Sequence, residues 1–198
     1  MGRFLYALLI VSVGAVVAHL AVILLLPVTA PNTAARQLET ALPLTLERPV
    51  DLSALQASGT LDLHLDPAFR TIGCQFDIGE APFRLVGDGR VDFWSVSILD
   101  PLGVSIFSAN DRIAPTPSID LTVLSASQLR QFRQSPDPRL QNSIIVSSDD
   151  RTGYAIIRLF EPDESWKILV DDFVNATVCF PLSGFGFAEQ GQNLEPDG

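Results

Sequence analysis

The sequence has few of the residues that enzymes use for covalent or acid–base chemistry. It contains two histidines and two cysteines. His19 lies in an apolar run, so His64 is the sole histidine of the remaining chain, and any Ser-His-Asp or Cys-His mechanism would have to use it. No G-x-S-x-G, Walker, G-x-G-x-x-G, C-x-x-C or H-E-x-x-H motif occurs. The sequence therefore gives almost no indication of catalysis and predicts neither a cofactor nor a metal site.

Positive charge is also scarce. The formal net charge is −10, and Arg3 is the only charged residue before Pro27. The other twelve basic residues and all 23 acidic residues follow Pro27, which gives that part a formal charge of −11. Such a surface repels phosphate backbones and anionic lipid headgroups, which excludes nucleic acid as an expected partner. Solubility explains the acidic balance more simply than a dedicated acidic docking surface.

Charge is absent from one long segment. Residues 4–26 form an apolar run of 23 residues without Asp, Glu, Lys or Arg, long enough to cross about 30 Å of hydrocarbon as a helix. The run is longer than the apolar region of an ordinary signal peptide, and Pro31 directly follows the small-residue sequence at 28–30. Both features favour a retained signal anchor over residues 1–27. Arg3 places the N-terminus in the cytoplasm, so the rest is expected in the periplasm, outside the inner membrane.

Small residues recur along one face of this predicted helix. Steps of three and four residues connect Ala7, Val11, Gly14, Ala18 and Ala21. Such a stripe allows another helix to approach closely, although alanine and glycine are common in membrane helices in any case. The sequence therefore predicts a helix-packing surface at Ala7, Gly14, Ala18 and Ala21, for a membrane-protein partner.

A histidine within the same run has two interpretations. His19 could ligate haem or bacteriochlorophyll or donate a hydrogen bond to a partner, since an imidazole inside a membrane is costly. A neutral imidazole with a local hydrogen bond is the simpler alternative.

The remainder is predicted to be mainly β (α+β), an antiparallel β-sandwich or jelly-roll-like domain with peripheral helices. Residues 28–58 are predicted as a linker with a short helix over 34–42, residues 59–182 as the domain, and residues 183–198 as a flexible acidic tail. Alternating patterns predict a half-buried strand at 61–66 and a hairpin joining 143–148 to 154–160. Helices are predicted at 126–133 and 166–176.

The central hairpin is predicted over residues 91–111. Trp94, Val96 and Ile98 point to one side and alternate with Phe93, Ser95 and Ser97, before a turn at 100–103. The apolar pattern is expected to continue after the turn at Val104 and Ile106.

Cys74 and Cys179 lie near opposite ends of the predicted domain. An exported pair in this position favours a disulfide, with two buried free thiols as the alternative.

Five polar residues are the candidates for a ligand pocket. His64 lies between Asp62 and Asp66 on the predicted strand, where a polar solvent face is the simpler interpretation. Asn110, Asp111 and Arg112 follow the central hairpin, where they would form either a pocket mouth or an ordinary turn. Arg158 interrupts an apolar strand and therefore needs an acidic partner or an edge position.

Several short stretches of the sequence resemble those of a known family. The stretches Cys74–Asp77, Phe93–Asp100, Ser108–Arg112, Ile157–Arg158 and Pro162–Trp166 are similar to the short, membrane-anchored bacterial members of the family called domain of unknown function 1254. The resemblance extends from the N-terminal anchor through Cys179, and its most specific part is the F-W-S-V-S-x-x-D stretch at 93–100. It implies a β-rich fold, an envelope location and a second membrane-anchored partner protein. It implies no catalytic residues.

Two functions follow as expectations. The first is a non-catalytic envelope protein, in which one helix tethers an acidic β-rich domain that binds a partner subunit. The second is an envelope enzyme or small-ligand binder with a pocket near His64, Asn110, Asp111, Arg112 and Arg158. Convergence of these five residues in the folded domain distinguishes the second from the first.

Overall fold

The structure is a computed structural model, and it describes residues 2–29, 33–44, 47–114 and 118–184. The chain divides into two compact units, a helical unit that ends at Thr33 and a globular unit that begins at Ala34.

The helical unit consists of helix α1, Gly2–Thr29. Its segment Gly2–Leu25 is long and apolar enough to cross a membrane, and a signal sequence has the same properties. None of the side chains in this segment is buried within the protein.

The globular unit is rich in strands. In its described part the strands are β1 (Val50–Asp51), β2 (Phe69–Asp77), β3 (Phe83–Gly87), β4 (Trp94–Leu99), β5 (Ser105–Asn110), β6 (Ile119–Ser125), β7 (Ile144–Ser148), β8 (Thr152–Phe160) and β9 (Val178–Pro181). The helices are α2 (Thr33–Ala41), α3 (Leu52–Ala57), α4 (Ala126–Gln134) and α5 (Lys167–Ala176), with 3₁₀ turns at Pro138–Leu140 and Glu164–Trp166.

The strands form two sheets. The five-stranded sheet has the order β1-β2-β8-β4-β5 and is antiparallel throughout. The four-stranded sheet has the order β7-β6-β3-β9 and is antiparallel except for the β6–β7 pair. The predicted strand-rich α+β class is confirmed, with two mostly antiparallel sheets that do not close into a barrel within the described residues.

The main core lies between the two sheets. Alternating residues of β2, β4 and β8 supply one side of it, and β3 and β6 supply the other: Ile72, Phe76, Val96, Ile98 and Ile157 against Leu85, Leu121 and Val123. Cys74 in β2 is bonded to Cys179 in β9, across 105 residues of sequence. The predicted disulfide is confirmed, and it joins the two sheets.

A second apolar cluster covers the outer face of the five-stranded sheet. It contains Leu38 near the end of α2, Leu42, Leu52 at the start of α3, and Tyr154 in β8. This finding differs from the predicted linker at 28–58, because residues from Ala34 onward belong to the globular unit and contribute buried side chains. The physical reason is that β8 carries Tyr154 and Ile156 on its outer face, so this part of the sheet needs an apolar cover.

Gly73 permits that cover to approach the sheet. A Cβ atom at Gly73 would lie 2.9 Å from Ile156 Cδ1, 3.2 Å from Leu42 Cδ1 and 3.3 Å from Leu52 Cδ1. The missing side chain therefore leaves space for Leu42, directly after α2, and Leu52 of α3 to pack on β2.

The central hairpin is formed by β4 and β5. Asp100 begins its turn and accepts hydrogen bonds from the amides of Leu102 and Val104, at 2.9 and 2.8 Å. Gly103 takes a left-handed conformation with φ 81°. Trp94, Val96 and Ile98 are buried, as the alternation predicts.

The pattern after the turn was predicted incorrectly. A bulge follows Ile98, so that Phe107 pairs with Ile98 and Ala109 with Val96. The extra residue reverses the alternation, and Val104 and Ile106 are consequently exposed rather than buried.

Two further expectations are corrected by the strand pairing. Residues 61–66 alternate in burial but form no strand, and His64 has φ 49°, which interrupts an extended conformation. The predicted hairpin of β7 and β8 is absent, because the two strands belong to different sheets. Helix α4 connects β6 to β7 as a crossover, which makes those two strands parallel neighbours.

Strand β9 was not predicted, and the predicted tail lies outside the described residues after Gly184.

Candidate functional site at the end of the five-stranded sheet

Arg70, at the start of β2, contacts more carboxylates than any other basic side chain among the described residues. Its Nε donates to Asp51 Oδ2 at 2.5 Å, and its two terminal nitrogens lie 3.4 Å from Glu161 Oε2 and 3.3 Å from Asp171 Oδ1. The three carboxylates come from different elements, because Asp51 ends β1, Glu161 follows β8 and Asp171 lies in α5. We call these four residues the Arg70 cluster.

The Arg70 cluster is held by local structure as well as by charge. Asp51 is also the N-cap of α3, where its Oδ1 accepts from the Ala54 amide at 2.9 Å. Burial works against the charged guanidinium, but the hydrogen bond and charge of Asp51 and the charges of Glu161 and Asp171 outweigh it, so the pKa of Arg70 is raised. The guanidinium therefore stays charged and ties three elements to the end of β2.

A cleft of about 550 Å³ opens beside this cluster. It lies between α3, the segment that leads into β2, and the segment around the start of α5. Its lining is half apolar and half polar, and consists of Ser53, Ala54, Gln56, Ala57, Leu65, Asp66, Pro67, Phe69, Arg70, Glu161 and Lys167.

Most acceptors in the cleft are already occupied. Gln56 Oε1 accepts from the Leu65 amide at 2.7 Å, and Asp66 Oδ1 accepts from the Ala68 amide at 3.0 Å. Among the described residues, no protein acceptor binds the Gln56 amide nitrogen or the Lys167 ammonium. The cleft therefore offers donors to a ligand, and the chemistry that fits them is a carboxylate or another acceptor-rich group.

Arg158 lies next to the cleft on β8. Its guanidinium carbon is 4.3 Å from the centre of the Phe69 ring, and its Nη2 lies 3.3 Å from Asp66 Oδ2. The expected acidic partner of Arg158 is thus Asp66. Because both side chains are nearly half exposed, this ion pair contributes little to stability.

Aromatic rings continue the surface away from Arg158. The Phe69 ring lies 6.1 Å from that of Phe93 and 5.6 Å from that of Phe160, and Phe160 lies 6.0 Å from Trp166. All four side chains are half-buried. They pack edge to face and close the end of the sheet beside the cleft.

The structure brings two of the five predicted pocket residues into one row. Ser95 of β4 is the register partner of Arg158 on one side and of Asn110 on the other. Arg158 and Asn110 are therefore two strand spacings apart, about 10 Å, on the same face of the sheet. Asn110 uses its side chain locally, since its Oδ1 accepts from the Arg112 amide at 3.2 Å.

Asp111 and Arg112 do not join this row. The Asp111 amide donates to the Trp94 carbonyl at 3.2 Å, and its Oδ1 is buried without a hydrogen-bond partner in the described part of the chain. Arg112 is exposed and has no ion pair with Asp111 there. These residues form the turn that ends β5.

His64 lies apart from the lining of the cleft. Its Nδ1 is 3.3 Å from Asp62 Oδ1, and the two side chains are 88% and 84% exposed. Within residues 2–29, 33–44, 47–114 and 118–184, no group of three or more His, Cys, Asp or Glu side chains is placed to hold a metal ion. Because the two cysteines form the disulfide, they do not supply a thiolate nucleophile either.

Arg70 and Lys167 were not predicted as site residues from the sequence. Arg70 interrupts the apolar start of β2 just as Arg158 interrupts β8, so the same signal was present. Lys167 is the only lysine of the chain, but nothing in its local sequence indicates that α5 begins beside a cleft. Gln56 and Lys167 line the same cleft, so the geometry of this site supports the binding of an acceptor-rich group.

Comparison with known proteins supports the fold alone. No protein-family model and no curated protein matches the sequence. The structure is similar to a crystal structure of the VPA0106 protein from Vibrio parahaemolyticus, with a TM-score of 0.55 and 12% sequence identity, over 84% of this chain and 39% of that one. A putative uncharacterized protein from Burkholderia cenocepacia matches with a TM-score of 0.40 and 15% identity, over 59% of this chain and 31% of that one. The chain thus spans less than half the length of either neighbour.

Proposed function

We propose that this protein is a single-pass protein of the inner membrane whose globular unit lies in the periplasm and binds a second membrane-anchored protein. The observation that carries the proposal is α1, because the segment Gly2–Leu25 has no buried side chain in the protein. Its apolar surface requires lipid or another helix. A retained anchor places this surface in the membrane, where it contacts both lipid and the partner.

The disulfide and the family resemblance support the location and the partner. A bond between Cys74 and Cys179 is typical of exported proteins, because the cytosol keeps thiols reduced. Membership of the family domain of unknown function 1254, proposed from the F-W-S-V-S-x-x-D stretch at 93–100, implies a separate membrane-anchored companion. The role is accessory and non-catalytic.

A pull-down of the full-length protein in mild detergent, followed by mass spectrometry, tests this function. Changing Gly14→Leu and Ala18→Leu together fills the small-residue stripe, so a stoichiometric membrane partner should be lost. The control Ser12→Leu with Val16→Leu changes the opposite face of the helix and should retain the partner. Absence of any stoichiometric partner in the unmodified sample contradicts the proposal.

The cleft supports a second function, the binding of a small carboxylate ligand. The donors of Gln56 and Lys167, which bind no acceptor among the described residues, support this alternative. A thermal-shift screen of small carboxylates should identify a compound that stabilises the protein, and Lys167→Met should abolish the shift. Ile168→Met, one residue further along the same helix and outside the cleft lining, should leave the shift unchanged.

A further inference from the structure

Exposed apolar side chains of the globular unit are concentrated around β5. Leu102, Val104, Ile106 and Ile113 lie in the turn before β5, in the strand, or directly after it. They are 62%, 58%, 41% and 63% exposed. Apolar groups gathered in this way are typical of a surface that contacts another protein.

The backbone of β5 is available for pairing. In the part of the chain that the structure describes, β5 is the last strand of its sheet, and no described strand pairs with its outer side. The Asp111 amide donates to the Trp94 carbonyl, and this bond fixes which residues of β5 face β4. Along an antiparallel strand, the backbone N–H and C=O groups of successive residues point to opposite sides. The backbone groups of Phe107 and Ala109 therefore point toward β4, whereas those of Ser108 and Asn110 point to the open side.

The other sheet edges are less suitable. Strand β1 has two residues, and the Cys179 amide of β9 already donates to the Glu47 carbonyl at 2.7 Å. Strand β7 is followed directly by Asp149 and Asp150. Residues 101–110 have no charge at all, so β5 lacks the lysines and prolines that usually protect an edge strand.

The distribution of charge supports a second copy of the chain as the occupant. The part of the chain after Pro27 carries a formal charge of −11, so two copies repel each other wherever their acidic surfaces meet. The uncharged stretch 101–110 is a place where two copies can approach without bringing carboxylates together. An antiparallel edge is also self-complementary, because a two-fold axis pairs it with itself.

We infer that β5 pairs antiparallel with β5 of a second copy of this chain, around a two-fold axis at Ser108. The outward groups of Ser108 then bond to those of the second Ser108, and Asn110 lies opposite Ile106 of the second copy. The outward alternation requires outward residues to lie opposite each other, and an axis at Ser108 also keeps the paired stretch 106–110 within the uncharged segment. This arrangement joins the five-stranded sheets of both copies. It concerns a second copy of the chain and does not depend on the proposed membrane partner.

Cysteine cross-linking of the full-length protein in mild detergent tests the register. Cα atoms of a hydrogen-bonded antiparallel pair are about 5.5 Å apart, within the range that a disulfide spans. Ser108→Cys adds the one free thiol of the chain, and mild oxidation should give a covalent dimer on a non-reducing gel. Ser147→Cys, an exposed position on β7, should remain monomeric. Equal cross-linking of the two variants overturns the inference.

The mass of the unmodified protein in detergent gives an independent test. Ile106→Lys sets two like charges on the shared edge and should weaken the dimer about tenfold or more. Ile168→Lys places the same charge at an exposed isoleucine of α5 and should leave the dimer intact. A dimer that survives Ile106→Lys but is lost with Gly14→Leu and Ala18→Leu overturns the inference in favour of helix packing. A monomer that binds only a strand of another protein overturns it as well.

Discussion

At the β1–β2 edge of the five-stranded sheet, Arg70 binds three carboxylates from three elements, and the disulfide ties β2 to the other sheet. The β5 edge instead has exposed apolar side chains, outward backbone groups and no charge between residues 101 and 110. One edge is fixed by interactions within the protein, and the other is available for interactions with another molecule. The comparison indicates that stability and recognition are assigned to opposite edges of one sheet.

The largest effect is expected from removing the disulfide. Changing Cys74 and Cys179 together to serine releases a cross-link across 105 residues. The chain-entropy model gives about 4–5 kcal/mol for a loop of this length. Denaturant unfolding should show this loss, whereas dimer cross-linking through Ser108→Cys should persist while the protein is folded. A loss below about 1 kcal/mol would contradict the fixed role of this edge.

Removal of Arg70 ranks second. Arg70→Ala leaves Asp51, Glu161 and Asp171 without their shared cation, and the free energy of unfolding should fall by about 3 kcal/mol because unpaired, partly buried carboxylates remain. Arg158→Ala is the matched control, since its ion pair with Asp66 is nearly half exposed, and it should cost below about 1 kcal/mol. Equal losses for the two variants would show that the Arg70 cluster has no special structural role.

A smaller loss of stability is expected in acid, when Asp77 at the end of β2 becomes protonated. The hydrogen bond from Arg151 holds the pKa of Asp77 below its usual 3.8, with the Gly79 amide also contributing. A lowered folded pKa stabilises the protein above the unfolded value, and that stability is lost as the pH falls through the folded pKa. The melting temperature should therefore decrease below about pH 4, and the decrease should be smaller in Asp77→Asn. Identical pH profiles for both proteins would contradict this assignment.

The smallest change in stability is expected at β5. Ile106→Lys exposes no core and breaks no hydrogen bond within the protein, so the free energy of unfolding should change by about 0.5 kcal/mol or less in a dilute, monomeric sample. The same variant should weaken self-association strongly. Loss of folding in this variant would show that β5 is part of the fixed structure.

The sequence predicted the elements of this fold more reliably than their partners. Alternation identified the buried face of β4, because Trp94, Val96 and Ile98 repeat at every second residue. It could not reveal that β7 and β8 join different sheets, since a tight turn between two strands is also compatible with a change of sheet. It could not reveal the bulge after Ile98 either, because an inserted residue has no sequence signature of its own here.

The candidate site was predicted less well than the fold. Arg158 was identified because a charge within an apolar strand requires a partner, and that partner is Asp66. His64 drew attention as the only histidine of the globular unit, but rarity says nothing about position, and its side chain is exposed. The cleft depends on α3 and α5 meeting at the end of β2, and such long-range contacts leave no local pattern in the sequence.

The most direct test of the difference between the two edges is hydrogen exchange of the full-length protein in detergent. Exchange is followed by mass spectrometry at a low and at a high protein concentration. The account predicts that concentration slows exchange in the β5 peptide, which contains the outward amides of Ser108 and Asn110. Peptides from β2 should be strongly protected and unchanged by concentration. Exchange of β5 that is identical at both concentrations, or β2 amides that exchange as fast as those of β5, would contradict it.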